Sequence, residues 1–377
     1  MKRISISPRS NWESTVESQG LLYHTTDDGI YWNESAYYSF SMPEITRLEN
    51  ATNRLQEMCL AAGQYIIDNN LFSKMGIGPL AESLIRHTWE TEPPAIYGRF
   101  DLAYDGTNIK LLEYNADTPT SLLEASVIQW YWLQDRFANN DQFNSLHERL
   151  VAKWKDINEY IQETPIHFAA LENREDGMTI AYLAETARQA GVDVRTIAIP
   201  DIGHDANTGD LVDLDNEQIR TLFKLYPWEN LIQDEFGKFI PNSACAFIEP
   251  AWKMMWSNKA LLAVLWEMYP NDELLLPAYF DENYFVGHNL SYVRKPFISR
   301  EGANIKVVEH GITTTETEGD YDAPFVYQGL ASLPKFDNRY PVIGSWVVDG
   351  ESAGMGIRED ASLVTGNTSQ FIPHIIE

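Results

Sequence analysis

Two runs rich in β-branched and aromatic residues, Ala95 to Tyr104 and Ile109 to Ala116, are joined by Asp105-Gly106-Thr107-Asn108, and this pairing constrains the fold more than any other feature of the chain. An Asp-Gly step between such runs signals a β-hairpin. Because side chains alternate along a strand, Arg99 and Asp101 share one face, and Glu113, Asn115 and Asp117 share one on the partner. The opposite faces carry Phe100, Leu102, Leu112 and Tyr114. One face is therefore apolar and belongs to a core. The other aligns carboxylates, an amide and a guanidinium, a donor set that suits Mg²⁺ beside an anion. Loop parity sets a condition: an odd loop, such as three or five residues, places Asp101 and Glu113 on the same side, whereas a tight two-residue Asp105-Gly106 turn separates them. A solvated strand face with incidental acids is the competing reading in so acidic a chain.

That acidity narrows the partners. With 28 Lys plus Arg against 55 Asp plus Glu, the net charge of −27 repels phosphate backbones and anionic lipid, so neither nucleic acid nor membrane is an expected partner. The hydrophobic fraction of 44% and aromatic fraction of 12% are far above those of a disordered acidic chain. At roughly 150 residues per domain, 377 residues imply two to three domains. Two cysteines, Cys59 and Cys245, lack any pairing or metal spacing and read as small buried hydrophobes. No apolar run follows the basic Lys2-Arg3 start and no long uncharged stretch occurs, so a cytoplasmic location is expected. The Asn-x-Ser/Thr triplets at Asn33, Asn50, Asn289 and Asn367 then carry no glycosylation meaning.

The organisation is that of a mixed chain, α/β with α+β character. Leu48, Leu55, Met58, Ala62, Tyr65 and Ile66 recur at helical spacing from Ile45 to about Asn70. Two helices are expected at Ser121 to Ala138 and Gln142 to Gln162. Beyond Pro165 short strands at Ile166–Ala170, Val194–Ile199, Leu222–Tyr226 and Ala244–Ile248 alternate with helices at Met178–Ala190 and Trp228–Phe236, the pattern of a small α/β layer. A helix around Asn258–Tyr269 precedes strands at Tyr292–Phe297, Ile305–Glu309, Pro324–Gln328, Val342–Val348 and Ser352–Arg358.

Three further segments bear on chemistry. Lys295 ends the strand Tyr292–Phe297, and Ser299-Arg300-Glu301-Gly302-Ala303-Asn304 follows it as a small flap. A strand lysine can set one ammonium against phosphates, or simply be solvated; Lys259, after Asn258, is similarly two-sided. Gly354-Met355-Gly356 lets backbone pass close to a ligand, or is an ordinary hairpin pair. The chain lacks a Gly-rich loop ending in Gly-Lys-Ser/Thr, a His-Glu-x-x-His helix and a Gly-x-Ser-x-Gly elbow, and its eight histidines are scattered. Walker-type NTPase, zincin and serine-hydrolase readings therefore lose most of their support.

Taken together, Tyr97-Gly98-Arg99-Phe100-Asp101, Leu112-Glu113-Tyr114-Asn115-Ala116-Asp117-Thr118, Tyr226-Pro227-Trp228-Glu229, Val293-Arg294-Lys295-Pro296, Tyr327-Gln328-Gly329-Leu330 and Gly356-Ile357-Arg358-Glu359-Asp360 resemble the synthetase domain of the glutathionylspermidine synthase family, a branch of the ATP-grasp ligases. The resemblance runs from about Trp12 to Ile376. It implies an ATP-grasp fold with an inserted small α/β, pre-ATP-grasp-like domain: residues 1–163 and 251–377 forming the core, and 164–250 the insertion.

Carried over residue by residue, the resemblance implies Mg²⁺ on Asp101, Glu113 and Asn115, and ATP phosphates on Arg99, Lys259 and Lys295. Gln328, Gly329, Leu330 and Ala331 then hold adenine, Glu301, Leu363, Val364 and Thr365 complete the nucleotide site, and Arg358 closes over the transferring phosphoryl group. Thr118, Thr120, Glu175 and Asp176 fall where the family grips its peptide-like acid. The family's bifunctional members carry an N-terminal amidase domain, which is not expected here. Thr118-Pro119-Thr120 departs from the family's small hydroxyl residues, and the flap has Gly302 alone.

The implied activity is ATP-dependent joining of a small-molecule acid to an amine or polyamine through an acyl phosphate. A net charge of −27 suits a cationic amine, and related synthetases are often homodimers. The alternative is a non-catalytic nucleotide-binding module that kept the fold.

Overall fold

The computed structural model describes residues 1–161, 165–366 and 368–377. The expected helix end at Gln162, the 163/164 boundary and Asn367 lie outside them. Among the described residues, no helix is long and apolar enough to cross a membrane.

The hairpin is the inner edge of a five-stranded antiparallel sheet in the order Gln370–Ile372, Glu351–Asp360, Tyr340–Val348, Tyr97–Tyr104, Ile109–Asn115. Behind it packs the helix Met42–Asp68. Glu44 accepts the Ser41 N–H at 2.9 Å to close its first turn, and Leu48, Leu55, Met58, Ala62 and Ile66 are buried along one stripe, while Tyr65 is only partly covered. On the same back face Phe100 and Tyr114 stack with ring centroids 3.8 Å apart, and Tyr114 stacks in turn on Trp256. Burial of these rings contributes on the order of 2 kcal/mol each and fixes which face of the hairpin is left for the site.

The loop from Asp105 to Asn108 holds four residues between the paired Tyr104 and Ile109, neither the odd loop nor the two-residue turn considered above. Asp105 Oδ1 accepts the N–H groups of Thr107 and Asn108 at 2.8 and 2.7 Å, a side-chain-closed turn. An even loop by itself sets Asp101 against Leu112. A bulge between the Leu102–Leu111 and Asp101–Glu113 pairs inserts Leu112 as an extra residue and restores Glu113 to the side of Asp101. Leu112 consequently lines the cleft rather than the core.

A second five-stranded antiparallel sheet runs Ala278–Tyr279, Phe325–Gly329, Tyr292–Pro296, Lys306–Glu309, Ile312–Glu316. A four-stranded parallel sheet, Ala246–Ile248, Thr221–Leu225, Ile166–Ala170, Val194–Ala198, carries the helix Arg174–Gln189, which ends at Gly191 with φ +85°. Tyr97 stacks between Trp346 and Phe223, joining the parallel sheet to the first.

Several expected elements differ. Ser121 to Ala138 is a π-helical turn Glu124–Ile128 followed by Gln129–Phe137, and the helix after Trp228 stops at Leu231. Cys59 is buried, but Cys245 is partly exposed. Two strands that carry little alternation, Lys2–Ser5 and His374–Ile376, flank Ala36–Phe40 in a three-stranded sheet.

Candidate active site

The two antiparallel sheets face one another across a cleft of about 1210 Å³, open mouth included. From the first sheet project Arg99, Asp101, Glu113, Asn115, Val342 and Arg358; from the second, Val293, Lys295, Val307 and Gln328. The strand alternation read from the sequence puts them there, with the bulge correcting its parity.

Asp101 is 4% exposed and is held by two guanidinium groups. Arg99 Nε donates to its Oδ1 at 2.7 Å, and Arg358 Nη2 donates to its Oδ2 at 2.7 Å. Arg358 reaches it across the intervening strand, where Gly344 pairs with Asp101. A Cβ at Gly344 would lie 2.8 Å from Arg99 Cδ, so the absent side chain is what lets the arginine lie flat over the sheet. Burial works against the Arg99 charge, but Asp101 and Glu113 hold it on.

Glu113 lies 3.3 Å from Lys259 Nζ, and Asn115 Nδ2 donates to Glu113 Oε1 at 3.1 Å. Burial would raise the Glu113 carboxyl, but Lys259, Lys295, the Asn115 amide and Arg99 outweigh it and hold it at about 2. Both lysines are buried rather than solvated, at 7% and 8% exposure. Lys259 Nζ donates to Ser299 O at 2.7 Å at the base of the flap. Burial pulls Lys295 down to about 8 against the upward pull of Glu113.

The flap crosses the mouth. Gly302 has φ +69°, and a Cβ there would come 2.7 Å from Thr365 O, so only glycine lets the flap pass the Leu363-Val364-Thr365 segment this closely. Arg300, a flap residue without a role in the sequence reading, donates to Thr118 Oγ1 at 2.8 Å and to Glu229 Oε1 at 2.6 Å. It ties the flap to the segment after the hairpin and to the parallel-sheet unit.

Thus Arg99, Asp101, Glu113, Asn115, Thr118, Thr120, Lys259, Lys295, Glu301, Gln328, Gly329, Leu330, Ala331, Arg358, Leu363, Val364 and Thr365 line one cleft. Glu175 and Asp176 do not line it. They open the helix Arg174–Gln189 beyond Thr120, where burial and the neighbouring Glu124, Asp176 and Glu301 push Glu175 up to about 7 against the Thr120 hydrogen bond.

Two readings need correction. Asp117 leaves the strand face, because the strand ends at Asn115; at 1% exposure it accepts from Lys224 Nζ and from Trp228 N at 2.9 Å. The polar face therefore offers two carboxylates and one amide. Among the described residues, no three His, Cys, Asp or Glu side chains group as a metal site. The glycines of Gly354-Met355-Gly356 serve packing rather than a ligand: Cβ atoms there would meet Phe143 O at 3.0 Å and the Phe371 ring at 2.7 Å.

The mixed α/β chain resembles a solved glutathione synthetase-like effector from Globodera pallida, with TM-score 0.61 and 11% identity over 99% of this chain and 100% of that one, a likeness of fold. Residues 3–377 match the family model described as glutathionylspermidine synthase preATP-grasp. The sequence is 42% identical over 389 residues to a Haemophilus influenzae protein provisionally named an acid–amine ligase, covering 99% of each. It is 29% identical to trypanothione synthetase of Crithidia fasciculata over 76% of this chain and 48% of that one. It is 27% identical to the bifunctional glutathionylspermidine synthetase/amidase of Escherichia coli over 93% of this chain and 61% of that one. The chain thus spans between about half and three-fifths of those two synthetases. It belongs to the glutathionylspermidine synthase family.

Proposed function

We propose that this chain is an ATP-dependent carboxylate–amine ligase. The observation that carries the reading is the convergence, in one cleft, of an oxygen donor set with four cationic side chains: Asp101, Glu113 and Asn115 beside Arg99, Lys259, Lys295 and Arg358. Two carboxylates and an amide suit Mg²⁺, which takes few protein oxygens and completes its shell with phosphate and water. Apolar Leu112, Val293, Ile305, Val307 and Leu333 wall a slot beside the Gln328–Ala331 backbone, which fits a purine. The ion, bound to Asp101, Glu113 and Asn115, would supply charge neutralisation for phosphoryl transfer.

In this reading residues 1–163 and 251–377 form an ATP-grasp core and 164–250 an inserted α/β unit. The acid's carboxylate oxygen attacks the γ-phosphorus of ATP, and the bond from that phosphorus to the β-γ bridging oxygen breaks, releasing ADP. The amine nitrogen then attacks the acyl carbon of the acyl phosphate, the carbon–oxygen bond to phosphate breaks, and the nitrogen gives its proton to solvent. The protein's contribution is electrostatic and positional: Lys259 and Lys295 hold phosphate oxygens, and Arg358 spreads the charge of the transferring group. Thr118 and Thr120 lie on the acid's side, and Glu175 and Asp176 extend that side beyond the cleft. The relatives' names support a peptide-like or small acid and an amine or polyamine as the substrate classes.

Calorimetric titration tests the nucleotide half of the reading. Wild-type protein is expected to bind MgATP with one site per chain, and Asp101→Ala is expected to lose most of the Mg²⁺-dependent part of the affinity. Equal binding of ATP by both proteins with and without Mg²⁺ would overturn the donor-set assignment.

A further inference from the structure

Gln328 sits on the strand Phe325–Gly329 at 2% exposure, with both ends of its side-chain amide engaged inside the protein. Nε2 donates to Leu111 O at 2.9 Å, and Oε1 accepts from Lys295 Nζ at 2.8 Å. The orientation of the amide is fixed by its partners: a carbonyl only accepts and an ammonium only donates. Leu111 is the residue beside the bulge, and on this edge strand its N–H faces away from the hairpin and bonds Leu274 O at 2.8 Å. The carbonyl of the next residue, Leu112, is turned to the same side by the bulge and accepts from Lys295 Nζ at 2.9 Å.

Gln328 and Lys295 therefore satisfy two consecutive carbonyls, Leu111 O and Leu112 O, that face away from the hairpin at the bulge. The bulge is the device that puts Glu113 beside Asp101. An ammonium has three N–H donors; two of those on Lys295 point at Leu112 O and Gln328 Oε1, and one is left for the cleft that Glu113 faces. A lysine on a flexible four-carbon stem has no preferred aim of its own, so the aim here comes from Gln328 and the bulge.

We propose that Gln328 is a positioning residue whose side-chain amide clamps the Leu111–Leu112 bulge to Lys295, fixing the hairpin register and the direction of the phosphate-facing ammonium together. The proposal rests on the reading of the cleft as a nucleoside-triphosphate site and goes beyond it by giving the Gln328 side chain a task independent of the base. Its neighbours Gly329 to Ala331 offer the backbone for adenine; the side chain serves the other end of the nucleotide.

Two ligands separate this from a direct contact with the base: MgATP, and magnesium tripolyphosphate, which has the phosphates and no base. Gln328→Met keeps length and removes both hydrogen bonds. It is expected to weaken both ligands by about tenfold or more, the scale of one hydrogen bond to a charged group, leaving the ratio of the two dissociation constants unchanged. In a Lys295→Met background the same substitution is expected to cost little further, because the group it aims is gone. Titration calorimetry reads the folded fraction as stoichiometry, apart from affinity. Gln328→Glu, which keeps an acceptor for Lys295, serves as the second variant and is expected to weaken both ligands in the same ratio. A loss confined to MgATP, or full additivity with Lys295→Met, overturns this proposal alone. Wild-type protein that binds neither ligand overturns it together with the triphosphate reading.

Discussion

Asp101 pairs directly with Glu113 across the hairpin, although the four-residue loop on its own would set Asp101 against Leu112. The register of the polar face is thus stored in the bulge and not in the turn. Inserting a glycine between Gly106 and Thr107 is expected to cost less than about 1 kcal/mol, since loop closure grows slowly with length, and to leave MgATP affinity within about twofold. Deleting Leu112 removes the extra residue, so the even loop then sets Glu113 directly opposite Asp101 without a bulge, and Mg²⁺-dependent binding is expected to persist. Urea unfolding and calorimetry on both variants check the pair of outcomes; loss of binding in the glycine insertion would locate the register in the loop instead.

Arg358 touches Asp101 at one oxygen while Arg99 holds the other. Removing Arg358 therefore leaves Asp101 oriented. Arg358→Ala is predicted to keep MgATP affinity within about tenfold and to lower ADP formation by on the order of 10³-fold, the scale of an arginine that acts on the transferring phosphoryl group. Single-turnover ADP release is the measurement, and a wild-type rate would remove Arg358 from the chemistry.

The Asp117–Lys224 pair is almost fully buried, at 1% and 0% exposure, and carries the segment Thr118-Pro119-Thr120 against the parallel sheet. Burial pulls the Lys224 ammonium downward, with Asp117 opposing it. Asp117→Ala leaves a buried ammonium without its carboxylate and is expected to cost about 3–5 kcal/mol, whereas Asp117→Leu combined with Lys224→Met is expected to recover a large part of that. Chemical denaturation of the single and double variants reads the coupling directly; strict additivity would mean that the pair does not act as a unit.

Glu175 gives a pH signature with a definite sign. Its folded-state value is raised to about 7 by burial and the surrounding carboxylates. Its stabilising contribution is then fully present below the ordinary carboxylate range and is lost as the pH rises through about 7. Glu175→Gln, neutral at every pH, is expected to raise Tm at pH 8 and to leave it nearly unchanged at pH 4. Calorimetric scans of both proteins at the two pH values make the comparison, and an equal shift at both would indicate a packing effect.

His374 runs the other way. It is fully buried, receives the Phe143 N–H at Nε2 and meets Gln129 Oε1 at Nδ1, and burial lowers it to about 3. A depressed histidine stabilises the fold above its unfolded value near 6.5 and loses that contribution as the pH falls toward 3. Part of the acid-side decline in stability over that window is expected to disappear in His374→Gln, as followed by denaturation midpoints at successive pH values.

The sequence made the polar face legible because alternation is a local property: Arg99 with Asp101 on one strand, and Glu113 with Asn115 on the other, needed only the strand period. The bulge left no such mark, since one extra residue in a strand changes neither composition nor propensity, and so alternation alone assigns Leu112 to the core face. Asp117 was misplaced because the strand ends two residues earlier, where Ser257 Oγ receives the Ala116 and Asp117 N–H groups from a remote part of the chain. Arg300 carries no local mark of its role for the same reason. Its partners Thr118 and Glu229 are far away in sequence. Alternation after Pro165 revealed the parallel layer, whereas the short strands Lys2–Ser5 and His374–Ile376 form through tertiary pairing with Ala36–Phe40 and carry little pattern of their own.

ADP release from MgATP, with a panel of small acids and γ-glutamyl peptides crossed against amines and polyamines, tests the central claim most directly. The account predicts ADP only when one particular acid and one particular amine are both present, and none from Asp101→Ala. ADP formed without any acid, or an undiminished signal from Asp101→Ala, would contradict it.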